Sequence, residues 1–236
     1  ITATAVLAGT RADPIARGAF SLTDGSFGAF RTPFVDGTVE YRARRLYAGL
    51  HLWRAGQQIL NVQLHLPLDL SLLPVAQRQL ADTLSVRATA DSVDLSVLEA
   101  VTPALQDVVG VFSADLGIAG TWDTPRLHGA LEVGGAAATI PALNVRYKDI
   151  AGRLVLSGDT IAIRSLSVRS DRGRADVSGV VRLEQLTRPV LDLQIAADQF
   201  KALDLRNTVS ITASGQLTLK GPVLGATLTG RAKVPS

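Results

Sequence analysis

Alternation of apolar and other residues is the feature that most constrains the fold of this chain. Residues 61–71 read N-V-Q-L-H-L-P-L-D-L-S, with an apolar side chain at every second position from Val62 to Leu70. Because successive side chains of a β-strand point to opposite faces, this segment predicts a strand with one apolar and one polar face. Such half-solvated strands are typical of antiparallel sheets, whereas strands in α/β folds are apolar on both faces.

The same alternation recurs along the chain, and turn signals separate its segments. It begins again near Phe112, Leu127, Leu191 and Ile211, and clusters such as S-G-D at 157–159 lie between the segments. Strand-length alternation punctuated by turn residues is the pattern of hairpin-connected strands. We therefore predict an all-β fold built on a long antiparallel sheet.

Two stretches interrupt the alternation and predict one or two short helices. Residues 73–80 contain Pro74 near their start, a residue that suits the first turn of a helix. Residues 96–108 carry Leu98, Val101, Leu105 and Val108 at nearly helical spacing. Neither stretch is long enough to organise the fold, so we expect both to be insertions in the sheet.

An internal repeat indicates that the strands form similar modules. The segment S-A-D-L-G-I-A-G at 113–120 aligns without a gap with S-G-Q-L-T-L-K-G at 214–221. The same register pairs Leu127 with Leu228, Gly129 with Gly230 and Val133 with Val234. Such self-similarity predicts strand modules in which each covers an edge or face of the next. Glycines that precede several alternating segments would either curve the sheet into a gutter or serve turns, and both interpretations remain open.

Composition excludes several functional classes. The chain is 47% hydrophobic but only 5% aromatic, contains no cysteine and has a net charge of +3. That charge is too balanced for a nucleic-acid-binding protein, so no nucleic-acid partner is expected. Without cysteine there is neither a disulfide nor a thiolate metal site. No run of 18 apolar residues occurs, and no membrane-spanning helix is expected.

No pattern that would support catalysis is present. The histidines, His51, His65 and His128, each alternate with apolar neighbours and are expected on the polar face. The chain lacks G-x-S-x-G, a phosphate-binding glycine loop and the spacing of a calcium loop. We therefore expect no catalytic residue, no metal site and no cofactor, and we predict that the protein is not an enzyme.

A series of short motifs in a fixed order resembles a known family. The motifs are L-D-L-S-L-L at 68–73, D-L-S-V-L-E at 94–99 with Pro103, G-T at 120–121 with P-R-L-H-G at 125–129, I-P-A-L-N-V-R-Y-K-D-I at 140–150, S-G at 178–179, L-D-L at 191–193 and S-G-Q-L-T-L-K-G at 214–221. From about Leu66 onward the chain resembles the TamB family, the inner-membrane component of the translocation and assembly module, and its AsmA-like relatives. Residues 1–65 match less distinctly, so we divide the chain into an upstream β-repeat segment, 1–65, and a TamB-like segment, 66–236.

The resemblance implies a fold and a function. Members of this family look like β-tacos, long antiparallel sheets curled into a gutter, anchored in the inner membrane and reaching across the periplasm of a Gram-negative-type envelope. The implied activity is the passage of phospholipids between inner and outer membranes, with a role in outer-membrane biogenesis alongside an Omp85-type partner. We expect this chain to be a segment of such a protein, with the membrane contacts made by regions outside it.

The alternation also predicts which residues would line the gutter and contact phospholipid acyl chains. They are the apolar members of each alternating segment, which are expected to share one face of the sheet. These predicted lining residues are Leu116, Ile118, Leu131, Val133, Leu154, Leu156, Ile161, Ile163, Val177, Val181, Leu183, Leu191, Leu193, Ile195, Ile211, Leu217 and Leu219.

Three other architectures fit parts of the pattern. A closed β-sandwich would bury the same apolar faces against each other and act as a scaffold or interaction module with no lipid conduit. An outer-membrane barrel also alternates, but it requires aromatic girdles that this composition does not provide. A β-solenoid enzyme acting on polysaccharide would need clustered carboxylates, which the sequence does not show.

Overall fold

One antiparallel sheet contains most of the chain in the computed structural model, which describes residues 1–27, 30–100, 102–205 and 209–233. Within these residues fourteen strands follow chain order, and each pairs with the next. The strands are β1 (Thr2–Gly9), β2 (Pro14–Phe27), β3 (Phe30–Arg42), β4 (Arg45–Arg54), β5 (Gln57–Pro67), β6 (Leu84–Asp94), β7 (Gln106–Gly120), β8 (Pro125–Ile140), β9 (Val145–Gly158), β10 (Thr160–Ser170), β11 (Gly173–Gln185), β12 (Arg188–Leu205), β13 (Val209–Pro222) and β14 (Thr227–Lys233). The predicted all-β antiparallel fold is confirmed.

The cross-strand register places apolar residues from every strand on a single face. Direct partners in an antiparallel pair have their side chains on the same side of the sheet. A chain of such partners runs without interruption from β2 to β14, and we call it the central row. Its members are Leu22, Val35, Leu52, Leu60, Ala90, Ala114, Leu131, Leu154, Ile163, Gly179, Leu193, Leu219 and Leu228. We call the face that carries it the inner face.

The molecule exposes far more surface than a compact domain of its size. Its accessible surface is 14140 Å² at a mass of 24.8 kDa. A compact monomer of that mass would expose roughly 10,200 Å². Strands β1 and β14 are the two ends of the strand order, so the sheet is open and does not close into a barrel. The apolar face is therefore not sealed by a second sheet.

A short 3₁₀ helix, Leu95–Ala100, follows β6 and shows that the sheet curls. The helix contacts β7, to which the chain leads, but also β2 and β3, which lie several strands away in the sheet. Val97 packs with Leu52 and Val93, while Leu98 packs with Val108 on the other side. Strands this far apart can touch one short helix only if the inner face curves around it. The gutter predicted from the sequence is present here.

A line of β-bulges explains the curl. The register shifts at Ser92 on β6, at Gly135 on β8, at Asp149 on β9 and at Gln199 on β12, and each of these residues has a positive φ. We call these four positions the bulge seam. A bulge bends its strand and increases the local twist. Because the bulges lie at neighbouring levels in successive parts of the sheet, their bends add up to a crease that runs across the strands.

The 101-residue repeat in the sequence is also a repeat in structure. Gly129 on β8 has φ +115, and a Cβ there would lie 1.9 Å from the carbonyl oxygen of Asp115. Gly230 on β14 has φ +138, and its Cβ would lie 2.3 Å from the carbonyl oxygen of Gln216, the residue equivalent to Asp115. The hairpin β13–β14 therefore has the same structure as β7–β8, including a close backbone contact that only glycine permits. The pairing of Val133 with Val234 lies outside the described residues.

The glycines that precede alternating segments are not turn residues. Gly18, Gly37, Gly152 and Gly179 all lie inside strands, with cross-strand partners on the inner face. At Gly152 an added Cβ would lie 2.7 Å from the carbonyl oxygen of Ser165, at the bulge in β10. Of the two interpretations left open by the sequence, close approach within a curved sheet is correct for these glycines.

The predicted helix at 73–80 is wrong. These residues form an irregular segment whose backbone bonds reach distant partners: the Asp69 amide donates to the Arg78 carbonyl, and the Leu80 amide donates to the Pro67 carbonyl. The Arg78 guanidinium donates to the carbonyls of Asp69 and Ser71. These bonds satisfy the backbone groups without a helix, so Pro74 does not begin one.

The predicted helix at 96–108 is only partly present. It is limited to the 3₁₀ helix Leu95–Ala100, and β7 already begins at Gln106, which pairs with Thr139. The Glu99 carboxylate accepts a bond from the Val108 amide, which ties the helix to the strand. Val101 lies outside the described residues. The division of the chain at 65/66 stays a prediction, and β5 runs across it without a break.

The bulge seam leads to a stability prediction. We expect Gln199→Gly to raise the free energy of unfolding by about 0.5–1 kcal/mol. Relief of left-handed strain, roughly 1–2 kcal/mol, exceeds the extra unfolded-state entropy of glycine, roughly 0.4–1 kcal/mol. The Gln199 backbone amide, which donates to Ser214 Oγ, is retained. Urea denaturation measures the change.

The matched control is Gln194→Gly, five residues earlier on the same strand and on the outer face. Gln194 pairs regularly with Ser178 and Thr218. Glycine there should lower the free energy of unfolding by about 0.5–1 kcal/mol. A loss of stability in both variants would show that the seam is not strained at Gln199.

Candidate functional site

Every predicted lining residue lies on the inner face. On β8 and β9, Leu131 pairs directly with Leu154, and on β12 and β13 Leu193 pairs directly with Leu219. Each remaining member of the set lies an even number of residues from the central-row residue of its own strand, and therefore on the same face. The structure thus brings the predicted residues of β7 to β13 together as one apolar surface, which we call the track.

The track is neither buried nor fully exposed. All of its predicted residues are partly exposed except Leu183, of which 8% is exposed. In a closed β-sandwich the same positions would be covered by the opposite sheet. Partial exposure arises because neighbouring strands and the curl of the sheet shield each side chain from the sides, while the space above it stays open.

Sequence reasoning missed the upstream half of this surface. The central row continues through β2 to β6, and Leu52 at 4% exposed is among its most buried members. The signal was available, because Val62 and Leu64 show the same alternation and pair with Leu50 and Ala48. The predicted lining residues nevertheless begin only at Leu116.

An apolar hollow opens off the inner face beside the bulge seam. It has a volume of about 490 Å³ and borders the 3₁₀ helix. Its walls are almost wholly aliphatic or aromatic side chains contributed by the helix, the segment after it, and strands β7, β8, β9, β10 and β12. They include Leu95, Leu98, Leu105, Val108, Val133, Ala136, Ala138, Ile140, Tyr147, Ile150, Leu166, Val168 and Phe200.

Two aromatic rings form one wall of this hollow. Tyr147 and Phe200 stack with their ring centroids 5.6 Å apart. The Tyr147 hydroxyl donates a hydrogen bond of 3.1 Å to the Ala202 carbonyl, so its polar end is already satisfied. Burial raises the pKa of the Tyr147 phenol, which keeps it neutral over the physiological range.

Strict alternation could not find the hollow. On β8 the inner face is carried by the odd-numbered Leu131 and Val133, but after the bulge at Gly135 it is carried by Ala136 and Ala138. An inserted residue shifts the alternation by one position, so a period-two rule follows the wrong face beyond it. The pair of glycines before the shift is the one signal in the sequence that could have revealed it.

The outer face is polar, and the histidines lie on it as expected. The His51 ring contacts the Asp36 carboxylate at 2.8 Å, and Trp53 Nε1 donates to the same carboxylate at 2.6 Å. Burial would raise the pKa of Asp36, but these hydrogen bonds and the charge of His51 outweigh it and hold the pKa below its ordinary value. His65 stacks on Tyr47 with centroids 4.5 Å apart.

Cross-strand ion pairs cover much of the rest of the outer face. Arg153 contacts Glu132 at 2.6 Å, and Lys220 contacts Asp192 at 3.2 Å. These groups are mostly exposed, so each pair contributes little to stability but keeps the face hydrated. Within the described ranges no three His, Asp or Glu side chains come together as a metal site.

Comparison with known proteins gives one match, which covers part of the chain. The family model described as the TamB C-terminal domain matches residues 159–236, which include β10 to β14. No curated protein and no solved structure matches the chain. No helix in the described part of the chain is long and apolar enough to cross a bilayer.

The matched region carries a large part of the track. It includes Ile161, Val181, Leu193 and Leu217 together with the last strands of the central row. The resemblance found in the short motifs and the match to the family model thus fall on the same strands. Residues 159–236 are therefore similar to the TamB C-terminal domain, in agreement with the resemblance found in the short motifs.

Proposed function

We propose that the inner face shields the acyl chains of phospholipids as they pass between the inner and outer membranes. In this proposal the chain is a periplasmic, non-enzymatic segment of an inner-membrane-anchored protein. The match of residues 159–236 to the TamB C-terminal domain supports a role in outer-membrane biogenesis in the bacterial envelope. The observation that carries the finer proposal is the central row, an apolar line from β2 to β14 whose side chains are largely half-exposed.

The energetics of lipid transfer explain why such a surface would be needed. Exposing a methylene to water costs about 0.8 kcal/mol, so two chains of about fifteen methylenes each would cost roughly 24 kcal/mol. A carrier must replace the hydrocarbon environment without holding the lipid at one point. Aliphatic side chains do so, because dispersion contacts are weak individually and depend little on direction.

The dimensions of the sheet also suit this role. Neighbouring strands are about 4.8 Å apart, so the thirteen strands from β2 to β14 extend the central row for roughly 60 Å along the sheet. The low aromatic content leaves the space above the track unfilled. The solvated outer face, with its ion pairs between Arg153 and Glu132 and between Lys220 and Asp192, would keep such a conduit soluble.

The competing function is a scaffold for outer-membrane protein assembly with no lipid conduit. A single open sheet with a half-exposed apolar face favours the conduit, because a sandwich scaffold would cover that face with a second sheet. An Omp85-type partner is compatible with either function and enters the proposal only through the resemblance to the TamB family. The distinguishing property is whether phospholipid binds the inner face.

A charge on the track should interrupt lipid binding without unfolding the protein. We expect Leu193→Arg to retain less than about a tenth of the phospholipid that co-purifies with the unchanged protein. The guanidinium holds water at one point of the track, and an acyl chain cannot replace that water. Native mass spectrometry of protein purified from bacterial cells measures the bound lipid, and circular dichroism monitors the fold.

Gln194→Arg is the matched control, since Gln194 is the next residue on β12 and points to the outer face. It should bind lipid as the unchanged protein does. Leu156→Asp and Leu217→Asp, on β9 and β13, should behave as Leu193→Arg does. Loss of folding in all three track variants would mean that the inner face is a packed core, and an unchanged protein free of lipid would favour the scaffold.

A further inference from the structure

We propose that the apolar hollow beside the bulge seam holds the end of a single acyl chain, as a site distinct from the track. This inference rests on the proposed function, because the occupant is a chain delivered along the inner face. The track offers the same open environment at every strand. The hollow occurs at one level of the sheet, where Leu95 and Leu98 of the 3₁₀ helix Leu95–Ala100 form part of its wall.

The chemistry of the walls selects an aliphatic occupant. The Tyr147 hydroxyl belongs to one of the lining residues, and it is already bonded to the Ala202 carbonyl. A ligand with its own polar groups would lose hydrogen bonds to water on entry and gain none. Concave sites lined by apolar side chains accept apolar molecules, and 490 Å³ is within the range of small-ligand sites.

The hollow is continuous with the track. Val133, one of the predicted track residues, forms part of its wall, and so does Leu166. Both lie beside Gly152 on β9, which pairs with each of them. Glycine leaves no side chain between the two, so an acyl chain could bend from the track into the hollow without crossing polar surface.

The walls are held in place without a ligand. Val108 and Ala136 are 3% and 4% exposed, and they pack with Leu95 beneath the helix. The Val108 amide donates to the Glu99 carboxylate at 2.6 Å, which anchors the helix over the hollow. A preformed site of this kind binds its ligand without first having to order its own walls. A chain end in the hollow should therefore be immobilised, whereas one on the track stays mobile.

Electron paramagnetic resonance can separate the two environments. The probe is phosphatidylglycerol with a nitroxide near the end of one acyl chain, supplied to the complete 236-residue chain. The unchanged protein should give an immobilised and a mobile spectral component. Ala138→Phe places a ring in the hollow and should reduce the immobilised component at least five-fold while the mobile component persists.

Ala196→Phe on β12 is the matched control, because Ala196 is exposed on the outer face opposite Asp176 and Gln216. It should leave both components unchanged. Ala138→Leu, a smaller filling, should give an intermediate loss and covers the case in which the phenylalanine variant fails to fold. An immobilised component that persists in folded Ala138 variants would overturn the hollow as a site.

The same spectra distinguish failure of this inference from failure of the proposed function. A mobile component without an immobilised one in the unchanged protein would overturn the hollow and leave the track intact. Absence of any bound probe would overturn the track, and the hollow with it. An immobilised component lost equally in Ala196→Phe would also contradict the assignment, since that side chain is outside the hollow.

Discussion

The whole structure depends on the register between antiparallel strands. Direct partners lie on one face, so a pairing such as Leu131 with Leu154 transmits the apolar side of one strand to the next. The same pairing is repeated from Leu22 to Leu228, so contacts between neighbouring strands are enough to build a continuous apolar surface. A slip of one residue at any pairing would exchange the two faces for all later strands. The polar outer face, where Glu132 meets Arg153, reinforces the same register from the other side.

Register alone would give a twisted ribbon, and the bulge seam turns it into a gutter. Ser92, Asp149 and Gln199 adopt left-handed backbone conformations that cost energy in residues other than glycine. These bulges also shift the alternation, so the seam shapes the sheet and determines which residues face inward beyond it. The alanines of β8 after Gly135 face the hollow for this reason, and they leave the room that larger side chains would have filled. The crease and the hollow therefore have one physical origin.

The sequence was sufficient for the features that depend on alternation. The antiparallel sheet, the shared face of residues such as Leu156 and Leu217, and the polar position of His51 all follow from period two. The openness of the sheet does not, because a closed β-sandwich has the same alternation. The sequence was also insufficient where tertiary contacts override local preference. Residues 73–80 form hydrogen bonds with Pro67 and Asp69 instead of forming a helix. The hollow lies beyond bulges, and a period-two pattern does not reveal the residue that each bulge inserts. The bounds of such features depend on backbone geometry that no single residue type specifies.

An exposed apolar surface of this length is normally an aggregation hazard, and the fold limits it through curvature. The curl places the track on the concave side, where another flat protein surface cannot reach it but a flexible chain can. The 3₁₀ helix, tied to β7 through the bond between Glu99 and Val108, covers the part beside the seam where burial is deepest. Beyond the helix the side chains remain half-exposed, and their partial shielding by neighbouring strands lowers the cost of leaving them uncovered. In the proposed function this shape would make the surface selective. A concave surface would favour a narrow, flexible ligand over a bulky partner, and a uniform aliphatic track would hold that ligand at no single point except the proposed site in the hollow.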